Sequence, residues 1–423
     1  MRLADLIEAT KDGEWGSGEP TAGSVEVAII RGTDFASASR GVVSRLPVRY
    51  VASRHVAAKQ LRPNDIIIET AGGSRGRPTG RTFRVTDEFL ERCARPVLCA
   101  SFCRFIRLNT GGADAAYVYW WLQSLYAAGR MTAFNTQHTG VSRFQWTVFA
   151  SSTRIALPTR GIQLGVACAL AAFDELIAIS ERRIELLEDL ARSLYCEWFM
   201  RYRFPGADWT SASGESPPGW TAGRLGDVAE INAYTAKGNE LPDPLRYVDI
   251  SSVSPRRIEE SRVLSAAEAP GRARRRLRDG DTIWATVRPN RRSHALVHDP
   301  PEDMIASTGF AVLTPNGIPA AFLFEYTSRP EFADYLMGRA TGAAYPAVRP
   351  PDFEEAPVLI PPPDLLAAFG DLADPALRLA SHFGRQIAAL ARTRDLLLPR
   401  LITGRLDISD VDLGDLLPAE TPA

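Results

Sequence analysis

A chain of 423 residues, 45% of them apolar, is long enough for two or more domains with separate cores. No apolar run reaches the roughly 20 residues that a bilayer needs, 164–173 being among the longest. The N-terminus shows no basic stretch leading into an apolar one, and five irregularly spaced cysteines point to a reducing cytoplasm, so the reading is cytoplasmic with no membrane partner. The net charge of −1 argues by itself against nucleic acid, but its distribution does not. Residues 31–107 carry 15 Lys/Arg against 6 Asp/Glu, and 246–292 carry 12 Arg against 6, which leaves −16 for the remainder. Lys11, Lys59 and Lys237 are the only lysines. Arginine suits bidentate contact with guanine edges and phosphates.

In chain order, Leu3, Leu6 and Ile7 open an amphipathic stretch, followed by strand-like runs at 25–30, 46–51, 65–69 and 97–107. A helix is predicted over 115–134 and a strand over 146–157, ending at Leu157-Pro158. A long helix follows over about 162–200, and 203–223 has linker composition. The second half opens at Trp220 and repeats the order: strands at 245–250, 281–287, 294–298 and 310–313, a helix over 319–337, and Ile360-Pro361 before a second long helix to about 404. Asp374-Pro375 reads as an N-cap with Pro in the first helical position, a second possible start for that helix.

Both long helices carry apolar residues at steps of three and four, the seam of a coiled coil. The first has Leu170, Phe173, Ile177, Ile184, Leu187 and Leu194; the second has Phe383, Ile387, Leu390 and Leu397. Three of these match at a constant offset of 203 residues. Small residues at Ala373, Ala376 and Ala380 would face the bulky early seam in an antiparallel pair. Asn64-Asp65-Ile66-Ile67 parallels Gly280-Asp281-Thr282-Ile283, with an arginine ten residues after each Asp, Arg75 and Arg291. Thr139-Gly140 parallels Thr341-Gly342. The ordered series points to a duplication.

Candidate nucleic-acid contacts gather in turn-rich segments. Arg75, Arg77 and Arg81 lie in a glycine-rich loop, and Arg288, Asn290, Arg291 and Arg292 form its counterpart. Gln137, Thr139 and Arg143 supply amide, hydroxyl and cationic groups, and Tyr345 lies in the matching segment of the second half. Arg274-Arg275-Arg276 suits a surface or phosphate contact better than base reading. No catalytic motif is found: no P-loop, no Asp/Asn-Pro-Pro-aromatic motif and no cofactor glycine fingerprint. Cys93, Cys99, Cys103, His294 and His298 do not make a metal set by spacing.

Three further runs carry a family resemblance: Leu170 to Ile177, Arg183 to Glu188 and Ser193 to Phe199. Together they resemble the central conserved helix of Type I restriction-modification specificity subunits. Pro218-Gly219-Trp220 with Leu225-Gly226-Asp227-Val228 resembles the start of their second target recognition domain, and Arg394 to Leu406 resembles their C-terminal conserved helix. The resemblance implies an α/β (α+β) fold in which a long antiparallel two-helix coiled coil separates two duplicated target recognition domains. The implied boundaries are a first recognition domain at 1–160, central helix 161–202, linker 203–219, second recognition domain 220–361, C-terminal helix 362–404 and tail 405–423. It implies a non-catalytic subunit that reads a bipartite site in double-stranded DNA, the coiled coil acting as a ruler of roughly 40 Å. Two methyltransferase subunits would bring S-adenosylmethionine, and restriction subunits would bring ATP and Mg; no cofactor or metal is expected on this chain. A self-contained methyltransferase with a fused recognition region and a coiled-coil scaffold are the rival readings; the missing catalytic motifs oppose the first, the two basic domains the second.

Overall fold

The computed structural model describes residues 1–72, 78–109, 111–138, 141–206, 217–237, 240–342 and 345–407. The chain divides into two compact units, Met1–Ile179 with Ile387–Ala423, and Ser180–Gln386.

The first unit is built on the run Ile66–Glu69, all four residues buried. Consecutive strand residues face opposite sides. Ile66 and Ile68 therefore enter one core with Leu3, Leu6, Tyr117, Trp120 and Trp121, while Ile67 enters another with Phe35, Phe83, Phe89 and Phe105. The sheet runs Ile7–Asp12, Cys103–Leu108, Ile66–Glu69, Thr82–Arg84, antiparallel throughout. A second sheet has Ser24–Ile30 between Val48–Ala52, antiparallel, and Val97–Cys99, parallel.

The second unit repeats this plan. Its first sheet runs Ala229–Ile231, Phe310–Pro315, Thr282–Ala285, His294–Leu296. Its second has Leu245–Val248 antiparallel to Arg262–Leu264 and parallel to Met304–Ser307, with Ala273–Arg276 as an added edge. The alternation recurs too: Trp284 packs in one core and Ile283 and Ala285 in another. The fold is thus mixed α/β and duplicated.

The matched Asp turns are equivalent down to single atoms. Asn64 (φ +68°) and Gly280 (φ +84°) are both left-handed, a conformation open to glycine and tolerated by asparagine. The following carboxylate then accepts the N–H three residues upstream: Arg62 to Asp65 at 2.8 Å, Arg278 to Asp281 at 2.7 Å.

The long helices are Arg160–Tyr195, continued by a π-helical turn Cys196–Met200, and Pro363–Ile402. In the first unit, Val166, Ala167 and Leu170 share a core with Leu398 and Leu401, and Arg394 pairs with Asp174. In the second, Ala191, Tyr195, Trp198 and Phe199 share a core with Leu366, Phe369 and Ala373, and Arg183 lies over Phe383. The start of one helix meets the end of the other in each unit, so they run antiparallel. Leu170 and Ile184 are buried; Phe173, Ile177, Leu187, Leu194, Phe383, Ile387, Leu390 and Leu397 are half-buried.

Four expectations change. Residues 146–157 do not form a strand: Trp146–Ser152 is helical and buries Trp146, Phe149 and Ala150, a three-four stripe hidden in a β-favouring composition. The 319–337 helix is two, Ala320–Ser328 and Pro330–Arg339, because Pro330 lacks the N–H that would continue the first. Asp374-Pro375 lies inside the second long helix; Asp374 instead accepts the N–H of Ala321 at 2.7 Å and caps the neighbouring helix. By length and composition Arg160–Met200 is apolar enough to cross a membrane. Its apolar side chains at 166, 167 and 170 are packed in the first unit's core.

Candidate nucleic-acid interface

In both units the strand that follows the Asp turn leaves its sheet through the same main-chain lattice. Thr70 N–H donates to Phe102 O at 2.8 Å, and Thr286 N–H donates to Gly309 O at 2.8 Å. Thr70 O accepts from Phe144 N–H at 2.8 Å, and Thr286 O accepts from Val348 N–H at 2.9 Å. Ala71 then stands opposite Arg143, and Val287 opposite Ala347. Two turn-rich segments distant in sequence are thereby held side by side in each unit.

In the first unit Ala71–Gly72 pairs with Val141–Phe144, which pairs with Asn135–His138. Arg143 is exposed. Arg81 is committed elsewhere: its guanidinium donates to both oxygens of Glu69, at 2.9 and 2.6 Å, which raises its pKa. Glu69 is 5% exposed, so the pair is a buried brace at the base of the arginine segment. Arg75, Arg77 and Thr139 lie outside the described residues, as does the side chain of Gln137.

The second unit shows its counterpart in full. A single turn, Pro289–Arg291, is bracketed by Arg288 (φ +55°) and Arg292 (φ +54°). Left-handed backbone at a non-glycine residue is uncommon and persists where surrounding bonds impose it. Arg288 N–H donates to Pro346 O at 2.7 Å, and its guanidinium lies 4.3 Å from the ring centre of Tyr345, which is 65% exposed. Arg292 turns inward and donates to the carbonyl of Ser328. Asn290 and Arg291 are exposed. Arg288, Asn290, Arg291 and Tyr345 thus share one surface, and Arg292 anchors it from beneath.

The anchor continues inward through His294. Its Nδ1 meets Arg292 O at 2.7 Å, its Nε2 meets Ser328 Oγ at 3.0 Å, and its ring stacks on Trp284 at 4.9 Å. Burial holds its pKa down to about 4. Both ring nitrogens are engaged within the unit. Arg275 and Arg276 bind Thr235 Oγ1 and Glu240 O, so two of the three consecutive arginines serve the frame. The hairpin correspondence also shifts: Thr341 pairs with Ala347 as Thr136 pairs with Arg143, so Thr341 matches Thr136 and not Thr139.

Sequence reading missed two participants. Phe102 sits in the turn that receives Thr70, and its lone aromatic ring in an Ala-Ser-Phe-Cys run gives no periodic signal. Glu69 looked like one more polar strand residue.

No family model matches the chain. It is 24% identical over 269 residues to the Type I restriction enzyme MjaIX specificity subunit of Methanocaldococcus jannaschii, a match covering 61% of each chain. The chain therefore spans somewhat less than two thirds of that relative's length. Among solved structures it is similar to a Type-I restriction-modification system S subunit from M. genitalium, with TM-score 0.60, 14% identity and 95% of both chains covered. In sequence and in fold the chain is similar to Type I specificity subunits. The structural likeness supports the shared fold, two β-rich regions joined by long packed helices. An HsdS subunit from Thermoanaerobacter tengcongensis also matches, with 17% identity over 96% of both chains and a TM-score of 0.35.

Proposed function

We propose that this chain is the non-catalytic DNA-recognition subunit of a Type I restriction-modification complex. It binds double-stranded DNA at a bipartite site and directs methylation and restriction carried out by partner subunits. The observation that carries this reading is the repeated main-chain lattice, which in both units holds two turn-rich segments side by side and leaves Arg143 in one, and Arg291 in the other, exposed. Arg143 in the first unit and Arg288, Asn290 and Arg291 in the second have the chemistry to contact phosphates and base edges. Arg75, Arg77, Gln137 and Thr139 belong to the same reading, with 1–160 and 220–361 as the two recognition domains. Two methyltransferase subunits would supply S-adenosylmethionine chemistry, and restriction subunits would supply ATP- and Mg-dependent cleavage.

The test is methylome sequencing of a host expressing the chain with Type I methyltransferase subunits. A two-part methylated motif is expected, and exchanging residues 1–160 for those of another specificity subunit should alter one part only. Methylation by the purified chain alone, a continuous motif, or alteration of both parts would refute the reading.

A further inference from the structure

Phe102 is an unusual surface residue. It is 63% exposed, yet its carbonyl and the turn around it are held by main-chain bonds. Cys103 N–H closes the turn onto Ala100 O at 2.8 Å, and Ala100 N–H is bonded to Ile30 O at 2.9 Å. The Phe102 carbonyl accepts from both Thr70 N–H at 2.8 Å and Ala71 N–H at 3.2 Å. Ala71 is the register partner of exposed Arg143. An exposed aromatic side chain on an anchored turn therefore stands beside the segment that carries the first unit's candidate DNA contacts. The equivalent position in the second unit is Gly309, where an added Cβ would lie 2.5 Å from Ile250 Cδ1. An exposed aromatic among that unit's described residues is Tyr345, on a different segment and covered by a guanidinium. The two units share a frame but place differently built aromatic groups on it, as two surfaces reading different sequences would.

We propose that Phe102 is a specificity-determining residue that reads the 5-methyl group of a thymine in one half-site. The proposal rests on the DNA-recognition reading above. An apolar ring with no hydrogen-bonding atom cannot read base donors or acceptors; the apolar feature of the major groove is the thymine methyl. Arg143 beside it suits guanine or phosphate, so the pair divides polar and apolar readout between them.

The test uses the full chain assembled with Type I methyltransferase subunits. The bound motif is first selected from random duplexes, and each thymine of the half-site read by residues 1–160 is then replaced by uracil, which lacks only the methyl. One position should weaken wild-type binding about fourfold, the worth of one buried methyl-sized group. Phe102→Ala should weaken binding to the thymine duplex by a similar factor and show no further loss with uracil there. Phe102→Leu, which keeps an apolar contact, should retain uracil sensitivity. Since the ring is exposed, both variants should melt with the wild type. Wild-type indifference to uracil throughout that half-site, or uracil and Phe102→Ala losses that multiply, would overturn the assignment while leaving the broader reading intact. A wild-type complex that selects no duplex would overturn both.

Discussion

Arg256 and Glu325, 69 residues apart in sequence, form a forked ion pair in the second unit, with N–O distances of 2.6 and 3.2 Å. Glu325 is only 2% exposed, and Arg256 also lies over the Phe324 ring at 4.4 Å and 3.5 Å from Glu188 of the first long helix. Removing one member of a buried pair strands the other charge, whereas removing both need not. Arg256→Met should therefore cost about 3–5 kcal/mol of stability, and pairing it with Glu325→Leu should recover much of that loss. Urea titrations of the two variants and the wild type measure the difference; equal losses would show the pair to be solvated.

His294 makes the second unit sensitive to acid. Its folded pKa, about 4, lies below the ordinary 6.5 because burial disfavours the imidazolium. The unfolded chain takes up this proton below pH 6.5 and the folded chain does not, so the stabilisation is complete above that pH and fades as pH falls from 6.5 to 4. This residue should account for about 2 kcal/mol of lost stability between pH 7 and pH 5. His294→Phe, which keeps a ring against Trp284, should flatten that part of the pH profile even if it lowers stability at pH 7.

The duplicated Asp turns differ in one partner. Asp65 receives both arms of Arg107, at 2.8 and 2.7 Å, while Asp281 receives the hydroxyl of Thr314 at 2.6 Å and has its pKa raised by burial. Arg107→Met should destabilise by about 3–5 kcal/mol, because it leaves a buried carboxylate unpaired. Thr314→Val should cost about 1–2 kcal/mol, the value of a single hydrogen bond. Chemical denaturation of the two variants compares them directly, and a reversed order would contradict this account.

Asp374→Ala should release the N-terminus of the helix Ala320–Ser328 without breaking its own helix, costing about 1 kcal/mol. Hydrogen exchange at Ala321 and Phe322 should rise while exchange around 374 stays slow. Faster exchange along the long helix instead would show that the Asp serves its own backbone.

Much of the plan was legible because it is periodic. The three-four spacing marked both long helices, a β-branched run marked Ile66–Glu69, and the Asp turns marked the duplication. What escaped depends on neighbours distant in sequence. Thr82–Arg84 and Ala229–Ile231 are three-residue strands with too few positions to show a period, and they exist because a longer strand lies beside them. Asp374 looks like a cap in sequence and is one, but for a helix that begins 54 residues earlier. In the candidate interface the basic clusters were visible, but composition could not separate arginines that face outward from those that hold the frame. Arg81 and Arg292 are spoken for by Glu69 and Ser328, while Arg143, Asn290 and Arg291 are exposed.

The bonds that Thr70 and Thr286 share on leaving their sheets join main-chain atoms, and Thr286 Oγ1 adds one more to Gly309 O. Such bonds do not depend on which side chains the residues bear. The same scaffold holds Phe102 in one unit and a glycine in the other, Arg143 in one and Ala347 in the other. Vocabulary can therefore change while grammar stays fixed: substitutions at outward positions such as 102 and 143 alter what is read without asking the fold to be solved anew.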